Sequence, residues 1–314
     1  MIRYLVTRIF STIPVVGVVT IVVFGLTYLS PGDAAVVLAG DYASPAQIAA
    51  IREKLRLDDP MIVQYFHWLQ NVLRGDLGDS IFSSQPVSTL IMSRVEPTII
   101  LAIAATCISL IIAVPLGLLA ARNRGGIADR VVSLVGVVGT AIPAFLIGYL
   151  LIFTFGVYFG SMPVAGFARL ESGYWELLRH VVLPATMLGF AQTALISRIT
   201  RASAIEVLDQ DFIRVARAKG LDEITIVVRH CLKLIGVPVI TIVGASFAGM
   251  LGGVVITETV FAIPGVGQLL TEAIQHEDVP VIQGVLLVSA CVYVLVNLVV
   301  DLSYPLIDPR IRYT

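Results

Sequence analysis

Residues 97–121 read PTIILAIAATCISLIIAVPLGLLAA, an unbroken stretch without a formal charge. A bilayer's hydrocarbon core takes about 20 apolar helical residues to cross, so this run is long enough to span. It has company: comparable runs lie at 9–29, 131–158, 181–197, 236–257 and 281–300, six in all. The shortest, 181–197, contains Pro184 and Gln192. Composition agrees. Of 314 residues, 57% are hydrophobic and 14% charged, with mean hydropathy +0.92. A soluble domain carries roughly 25% charged residues, and this chain has too little charge to coat a water-exposed surface. The predicted class is an all-α polytopic membrane protein with six transmembrane helices, solvated by the lipid bilayer. The first run follows Arg3 and Arg8, but it exceeds a signal-peptide core and Ser30-Pro31-Gly32 is a poor cleavage site, so a retained helix is expected.

A formal charge of −1 excludes a nucleic-acid binder working by bulk electrostatics. Cys107, Cys231 and Cys291 are too dispersed to form a disulfide framework or a metal site by spacing. His67, His180, His230 and His276 make no HExxH or clustered pattern, which leaves a membrane enzyme without a candidate centre.

Orientation follows from Lys and Arg near span ends. With the N-terminus inside, fourteen of the 21 positive residues are cytoplasmic, and seven of those fourteen fall within 198–235. Both termini are therefore expected in the cytoplasm. The six runs contain no Asp, Glu, Lys, Arg or His. Such a group at mid-bilayer costs about 2.5–3.5 kcal/mol and is retained for relays, ion coupling or voltage sensing. Energy for uphill transport is thus expected from outside the bilayer, although sodium sites built from backbone carbonyls stay open.

Between the first two runs, Ser44-Pro45 and Asp58-Asp59-Pro60 each read as an N-cap followed by proline at the first helical position. Behind the first, Ile48, Ile51 and Leu55 share a face; behind the second, Tyr65, Trp68, Leu69 and Val72 form an aromatic-rich stripe. Two readings stay open, a platform at the membrane surface that receives a partner and a cap packed on the helix ends.

The segment 198–235 is the most informative outside the runs. Ile205, Leu208, Phe212 and Val215 recur at 3/4/3 spacing, which predicts one amphipathic helix with Arg214 and Arg217 away from its apolar face. Lys219-Gly220 ends it, glycine accepting the left-handed backbone of a helix C-terminus. Asp222 is expected to cap a second helix whose apolar side is Ile224, Val227, Val228, Cys231 and Ile235. Two short helices joined at a glycine exceed what a simple connection needs, which predicts a partner. Further on, Ala245, Gly249 and Gly253 stand at i, i+4 and i+8, serving either internal packing or a subunit interface. The hairpin Phe261–Gly267, with Pro264, Gly265 and Gly267, reads as a gate, an interfacial wedge or a plain turn.

Four stretches then carry a resemblance: Leu29-Ser-Pro-Gly-Asp33, Gly75-Asp-Leu-Gly78, Asp211-Phe-Ile-Arg-Val-Ala-Arg-Ala-Lys-Gly-Leu221 and Glu258-Thr-Val-Phe-Ala-Ile-Pro-Gly-Val-Gly267. The tail, Asn297-Leu-Val-Val-Asp301 and Asp308-Pro-Arg-Ile-Arg-Tyr313, agrees with them. In these the chain resembles the B-type permease subunit of dipeptide/oligopeptide importers, a branch of the type I ABC importers, over essentially its whole length. The resemblance implies the type I permease fold with an extracytoplasmic helical segment after the first helix. It makes 211–221 the EAA loop, whose coupling helix docks on a cytoplasmic ATPase through Asp211, Phe212, Arg214, Ala216, Arg217, Ala218, Lys219, Gly220 and Leu221. Ala216 takes the motif's second alanine and Gly220 its glycine. Arg214 replaces the generic glutamate, Val215 the first alanine, and Pro238 lies further on than the generic pattern has it. The peptide subfamily's Ala-Arg-Ala-Lys-Gly form covers these departures, while Leu234 stands where that subfamily often has asparagine.

The same resemblance implies a bacterial inner-membrane subunit with four kinds of partner or neighbour: a homologous second permease, two cytoplasmic ABC ATPases, an extracytoplasmic solute-binding protein, and lipid. The chain has no GxxxxGK[ST] phosphate loop. It is therefore expected to be non-catalytic and to hold no cofactor, ATP and magnesium being bound by the partner ATPases. The expected division is 1–93, an N-terminal helix with its extracytoplasmic amphipathic segment; 94–303, the permease domain; and 304–314, a cytoplasmic tail. Di- or oligopeptide cargo is the default, with glutathione, nickel chelates, opines or oligosaccharides as alternatives within the class. A self-sufficient carrier or channel is the rival class, and it leaves 198–235 unexplained.

Overall fold

The computed structural model describes residues 2–29, 44–46, 49, 52 and 58–307, and their regular structure is helical. The Ile48, Ile51 and Leu55 face, residues 30–33 and the tail from Asp308 lie outside the described residues. Helix α1 spans Ile2–Leu29 and contains the first apolar run. Helix α2 spans Met61–Leu73, with Pro60 itself in the N-cap position. The Pro60 carbonyl accepts from the Val63 and Gln64 amides (2.8 and 3.1 Å), so Asp59 stands outside the helix rather than capping it.

Helix α3, Val87–Arg122, starts ten residues before the run that defines it. The run 131–158 departs most from expectation. It is two helices, α4 (Ile127–Ala141) and α5 (Ala144–Leu151, continuing as a π-helical turn Ile152–Tyr158), bent by 101°. Pro143 is the cause: it has no N–H to continue the ladder, and it holds Ile142 in extended backbone (φ −80°, ψ 126°).

Helix α6, Tyr174–Leu208, is followed by α7, Asp211–Ala218. Helix α8, Glu223–Thr225, runs through a π-helical turn, Ile226–Cys231, directly into α9, Leu232–Val260. The second short helix expected in the 198–235 segment is therefore the base of the helix that carries the fifth run. Helices α10, Val266–Gln275, and α11, Val279–Ile307, complete the fold. Among the described residues four helices are long and apolar enough to cross a membrane, or five if the bent pair is one crossing; α1 adds an apolar stretch at Phe10–Leu26.

The chain divides into two units. The first is built around Pro97–Gly267. Its core packs Leu101 and Ala105 of α3, Met187 and Leu188 of α6, and Met250 and Val254 of α9 with Phe261 and Ile263 beyond it. Helices α3 and α6 approach at backbone distance: a Cβ at Gly189 would stand 2.8 Å from the Ala105 carbonyl oxygen, and Ser109 Oγ sits 2.9 Å from the Gly189 oxygen. Small residues allow such contact in membrane bundles, where close packing supplies much of the association energy.

The second unit takes in Val6–Glu96 and Gln268–Val294. Here the aromatic stripe of α2 packs on the flank of α1. Tyr65 and Trp68 stand 5.4 and 5.7 Å from Phe24 by ring centroids, and the Tyr65 hydroxyl lies 2.8 Å from Thr20 Oγ1. Asp278, buried just ahead of α11, accepts from the Ser80 hydroxyl (2.5 Å) and the Ile81 and Phe82 amides (3.2 and 3.3 Å), fixing the turn before α3.

Candidate functional site

The residues singled out at 211–221 form helix α7 and its C-terminal turn. Helix α6 stops at Asp209, Gln210 is extended (φ −73°, ψ 150°), and α7 starts at Asp211. That break overturns the expectation of one amphipathic helix. The residues of α7 that face the protein are Ile213 and Ala216, both buried. Phe212 and Val215 are exposed at 41% and 53%. Ile213 and Ala216 join Ala204, Val207 and Leu208 of α6 and Cys231, Ile235 and Val239 further on in one apolar cluster. The π turn shifts the phase there. Ile226, Cys231 and Ile235 are buried at spacings of five and four, while Ile224 and Val228, expected inside, are exposed.

The turn closes as predicted. The Leu221 amide bonds the Ala216 carbonyl (3.2 Å) and the Gly220 amide bonds the Arg217 carbonyl (2.9 Å), the paired bonds of a Schellman ending with glycine at φ +83°. Asp222 then caps α8, accepting the Thr225 amide at 3.0 Å. Hydrogen bonds from the Thr225 side chain and backbone hold the Asp222 carboxyl below its ordinary value. Across the turn Arg217 grips Glu223 bidentately (2.7 and 3.2 Å), which raises its own guanidinium pKa. Arg214 pairs with Asp211 at 3.2 Å. Arg217 thus braces the turn, while Phe212, Val215, Lys219 and Leu221 are displayed on its exposed side.

Two ion pairs tie this segment to the α3–α4 connection. Arg201 of α6 holds the buried Asp129 of α4 through Nε and Nη2, the latter at 2.8 Å, and Asp129 also accepts the Gly125 amide (2.9 Å). Arg124 reaches Asp209, at the foot of α7, at 3.1 Å. Residues 72 and 85 positions apart in sequence are joined in this way, which no local pattern announces.

The residues assigned to packing or gating separate into two places. In the hairpin, Pro264 is exposed whereas Gly265 and Gly267 are buried. Both press on Glu258, which is fully buried and accepts the Thr98 hydroxyl at 2.6 Å; the Val266 amide in turn bonds Thr98 Oγ1 at 2.9 Å. A Cβ at Gly265 would overlap the Glu258 carboxylate, and one at Gly267 would come within 2.7 Å of Val255 Cα. Sequence reasoning missed Glu258, one position beyond the fifth run; its place at the head of the 258–267 motif was the available signal. On α9 the small-residue stripe splits. A Cβ at Gly253 would stand 3.1 Å from Leu188 Cδ1, but nothing lies within 4 Å of one at Gly249. Ala245 and Gly249 border an open groove of about 380 Å³ between α6 and α9. Gln192 and Ser246 line it too, and Gln192 Oε1 and Ser246 Oγ are buried without a hydrogen-bond partner.

The family model described as "Binding-protein-dependent transport system inner membrane component" matches residues 113–313, and its N-terminal counterpart matches residues 1–102. The chain belongs to this family. Among the relatives of this ABC permease is the "Probable peptide ABC transporter permease protein" of Sinorhizobium fredii, 45% identical over 310 residues and 99% of both chains. The glutathione transport system permease protein of Escherichia coli strain K12 is 38% identical over 313 residues, all of both chains. Among solved structures, a chain of the inward-facing MetNI methionine ABC transporter matches with TM-score 0.58 and 18% identity, covering 69% of this chain and 96% of that one. This likeness shows the ABC importer permease fold. The permease is thus a multi-pass membrane subunit of an ABC transport system, whose family works with ATPases and a binding protein.

Proposed function

We propose that the permease is the B-type transmembrane subunit of a bacterial inner-membrane importer for di- or oligopeptides. In this reading α1, α3, the bent α4–α5 pair, α6, α9 and α11 make six crossings with both termini cytoplasmic, and 30–96 lies on the outer side. Residues 1–93, 94–303 and 304–314 are its N-terminal, permease and tail portions. Helix α7 is the coupling helix. It docks on one of a pair of cytoplasmic ATPases that bind ATP and magnesium; their closure levers α7 and rocks the helices it is bonded to. The chain itself performs no catalysis. Ala245 and Gly249 are the face offered to the homologous second permease, and the 258–267 hairpin lies on the side visited by the solute-binding protein.

The observation that carries this reading is the construction of α7. Its inner face is anchored by Ile213 and Ala216, and its outer face presents Phe212, Val215 and Lys219 around a glycine turn braced by Arg217 and Glu223. An apolar patch rimmed by charge marks a protein interface. Peptide cargo is supported by the full-length relative named for peptide transport. Glutathione is the second reading, supported by the 38% identity with the glutathione permease. The test is uptake by the complete importer in proteoliposomes, its binding protein loaded with whichever peptide raises that protein's Tm. ATP-dependent peptide accumulation is expected, and accumulation without the ATPase subunits would sink the reading in favour of a self-sufficient carrier.

A further inference from the structure

Helix α2 has an amphipathic design without charge. Its thirteen residues, MIVQYFHWLQNVL, contain no Asp, Glu, Lys or Arg, while Asp58 and Asp59 precede it and Arg74 and Asp76 follow. At 100° per residue, Gln64, His67, Gln70 and Asn71 gather on one side with Val63 among them, and the other apolar residues gather opposite. The apolar side is wider than its contact with α1 uses. Tyr65 and Trp68 pack on Phe24 and Thr20. Next to them Ile62, Phe66 and Leu73 are left 71%, 62% and 79% exposed. A shallow groove of about 460 Å³ runs beside Phe66 and Leu73, at the border of the strip with the polar side, and is lined also by Val63, His67, Leu69 and Gln70.

The depth of the contact says what covers the strip. On α1, Thr20 lies nine residues before Leu29, where the first apolar run ends. At a rise of 1.5 Å per residue, Thr20 is roughly 13 Å inside that end. The Tyr65–Thr20 contact is therefore below the outer boundary of the hydrocarbon, and α2 cannot stand clear of the bilayer while making it. Around the same level α1 exposes Val18, Ile21 and Val22, side chains suited to lipid. The bare strip of α2 continues that apolar surface. A water-facing helix gains nothing from three large exposed apolar side chains, whereas their burial in lipid is favourable.

We infer that α2 is an in-plane membrane helix. It lies in the outer leaflet with Ile62, Phe66 and Leu73 on acyl chains, its Gln64–Asn71 side toward the headgroups, and its charged flanks at the interface. The inference rests on reading α1 as a crossing. It also departs from both expectations for this segment, since neither a partner platform nor a cap on helix ends places the strip in lipid.

The test uses the assembled importer in lipid vesicles, with Cys107 and Cys291 replaced by alanine and spin labels placed one at a time at Phe66→Cys, Leu73→Cys, Val18→Cys and Asn123→Cys. Collision rates with oxygen, which partitions into lipid, are compared with those of a water-soluble nickel chelate. Labels at positions 66 and 73 are expected to share the high oxygen preference of position 18, several-fold above position 123. Nickel preference at 66 and 73 with oxygen preference retained at 18 overturns the leaflet assignment alone. Labels at 66 and 73 shielded from both reagents also overturn it, since protein then covers the strip. Nickel preference at 18 overturns α1 as a crossing, and the inference falls with it. ATP-driven uptake by each labelled complex shows that the fold has survived.

Discussion

Glycine is required at both Gly220 and Gly265, for opposite reasons. At Gly220 the backbone is left-handed (φ +83°), and a Cβ there would have no heavy atom within 4 Å. That glycine is there for its dihedral angle, in a turn open to whatever docks on α7. At Gly265 the space is already filled, because any Cβ meets the carboxylate of Glu258. The turn after α7 is thus displayed outward, with Phe212, Val215 and Lys219 exposed around it. The 258–267 hairpin is closed on itself: Phe261 and Ile263 are buried, and Thr98 links the Val266 amide to the Glu258 carboxylate. Substitution at the first should damage work done with a partner, and at the second the fold.

Gly265→Val should have the largest effect. It must displace a buried carboxylate, disturbing the Thr98–Glu258 bond for about 1–3 kcal/mol and overpacking the hairpin for a similar amount. The expected outcome is a strong fall in membrane abundance and in the Tm of the solubilised complex, with no uptake left to measure. Gly267→Ala should also cost stability, because a Cβ there would stand 2.7 Å from Val255 Cα, a backbone atom that cannot swing aside. A Gly265→Val permease with ordinary abundance and Tm would erase the contrast between the two glycines.

Gly220 tests the other side. Gly220→Val should insert and assemble at the wild-type level yet lose transport, because a β-branched residue resists the left-handed conformation, which costs roughly 1–2 kcal/mol even for ordinary L-residues. Asparagine adopts that conformation more readily and the surroundings leave room for it, so Gly220→Asn should keep most of the uptake. ATP-driven uptake normalised to assembled complex distinguishes them. Equal loss in both variants would mean that side-chain space, rather than backbone angle, is what Gly220 supplies.

Much of this is legible in the residues. The apolar runs mark helices because lipid leaves a chain few other ways to satisfy its backbone. The Gly220 ending and the Asp222 cap are readable because both are local hydrogen-bond patterns. The bend at Pro143 is written in the run 131–158, but hydropathy carries no direction and treats the run as one crossing. The buried face of α7 escapes the periodicity for a definite reason: the 3/4/3 pattern presumes one uninterrupted helix, and the extended Gln210 resets the phase so that Ile213 and Ala216 turn inward. The π turn does the same downstream. Glu258 with Thr98, 160 positions apart, and Arg201 with Asp129, 72 apart, are out of reach because such pairings exist only once the helices have packed.

The smallest effect should come from Asp222, whose carboxylate holds the far side of the Gly220 turn. Asp222→Ala removes the acceptor for the Thr225 amide and lets the first turn of α8 fray, while the Arg217–Glu223 pair still spans the turn. A slight drop in Tm and a partial loss of uptake are expected, well short of Gly220→Val. The pH dependence has a definite sign. The folded-state pKa of Asp222 is depressed by its bonds to Thr225, so its contribution is fully present above the ordinary value of 3.8 and is lost as pH falls through the lower folded value. The Tm gap between the wild type and Asp222→Ala should therefore hold steady from neutral pH downward and close only below 3.8. Asp222→Asn, which keeps an acceptor oxygen that does not titrate, should preserve most of the cap. A gap that closed near neutral pH would show that another group, and not this cap, holds the turn.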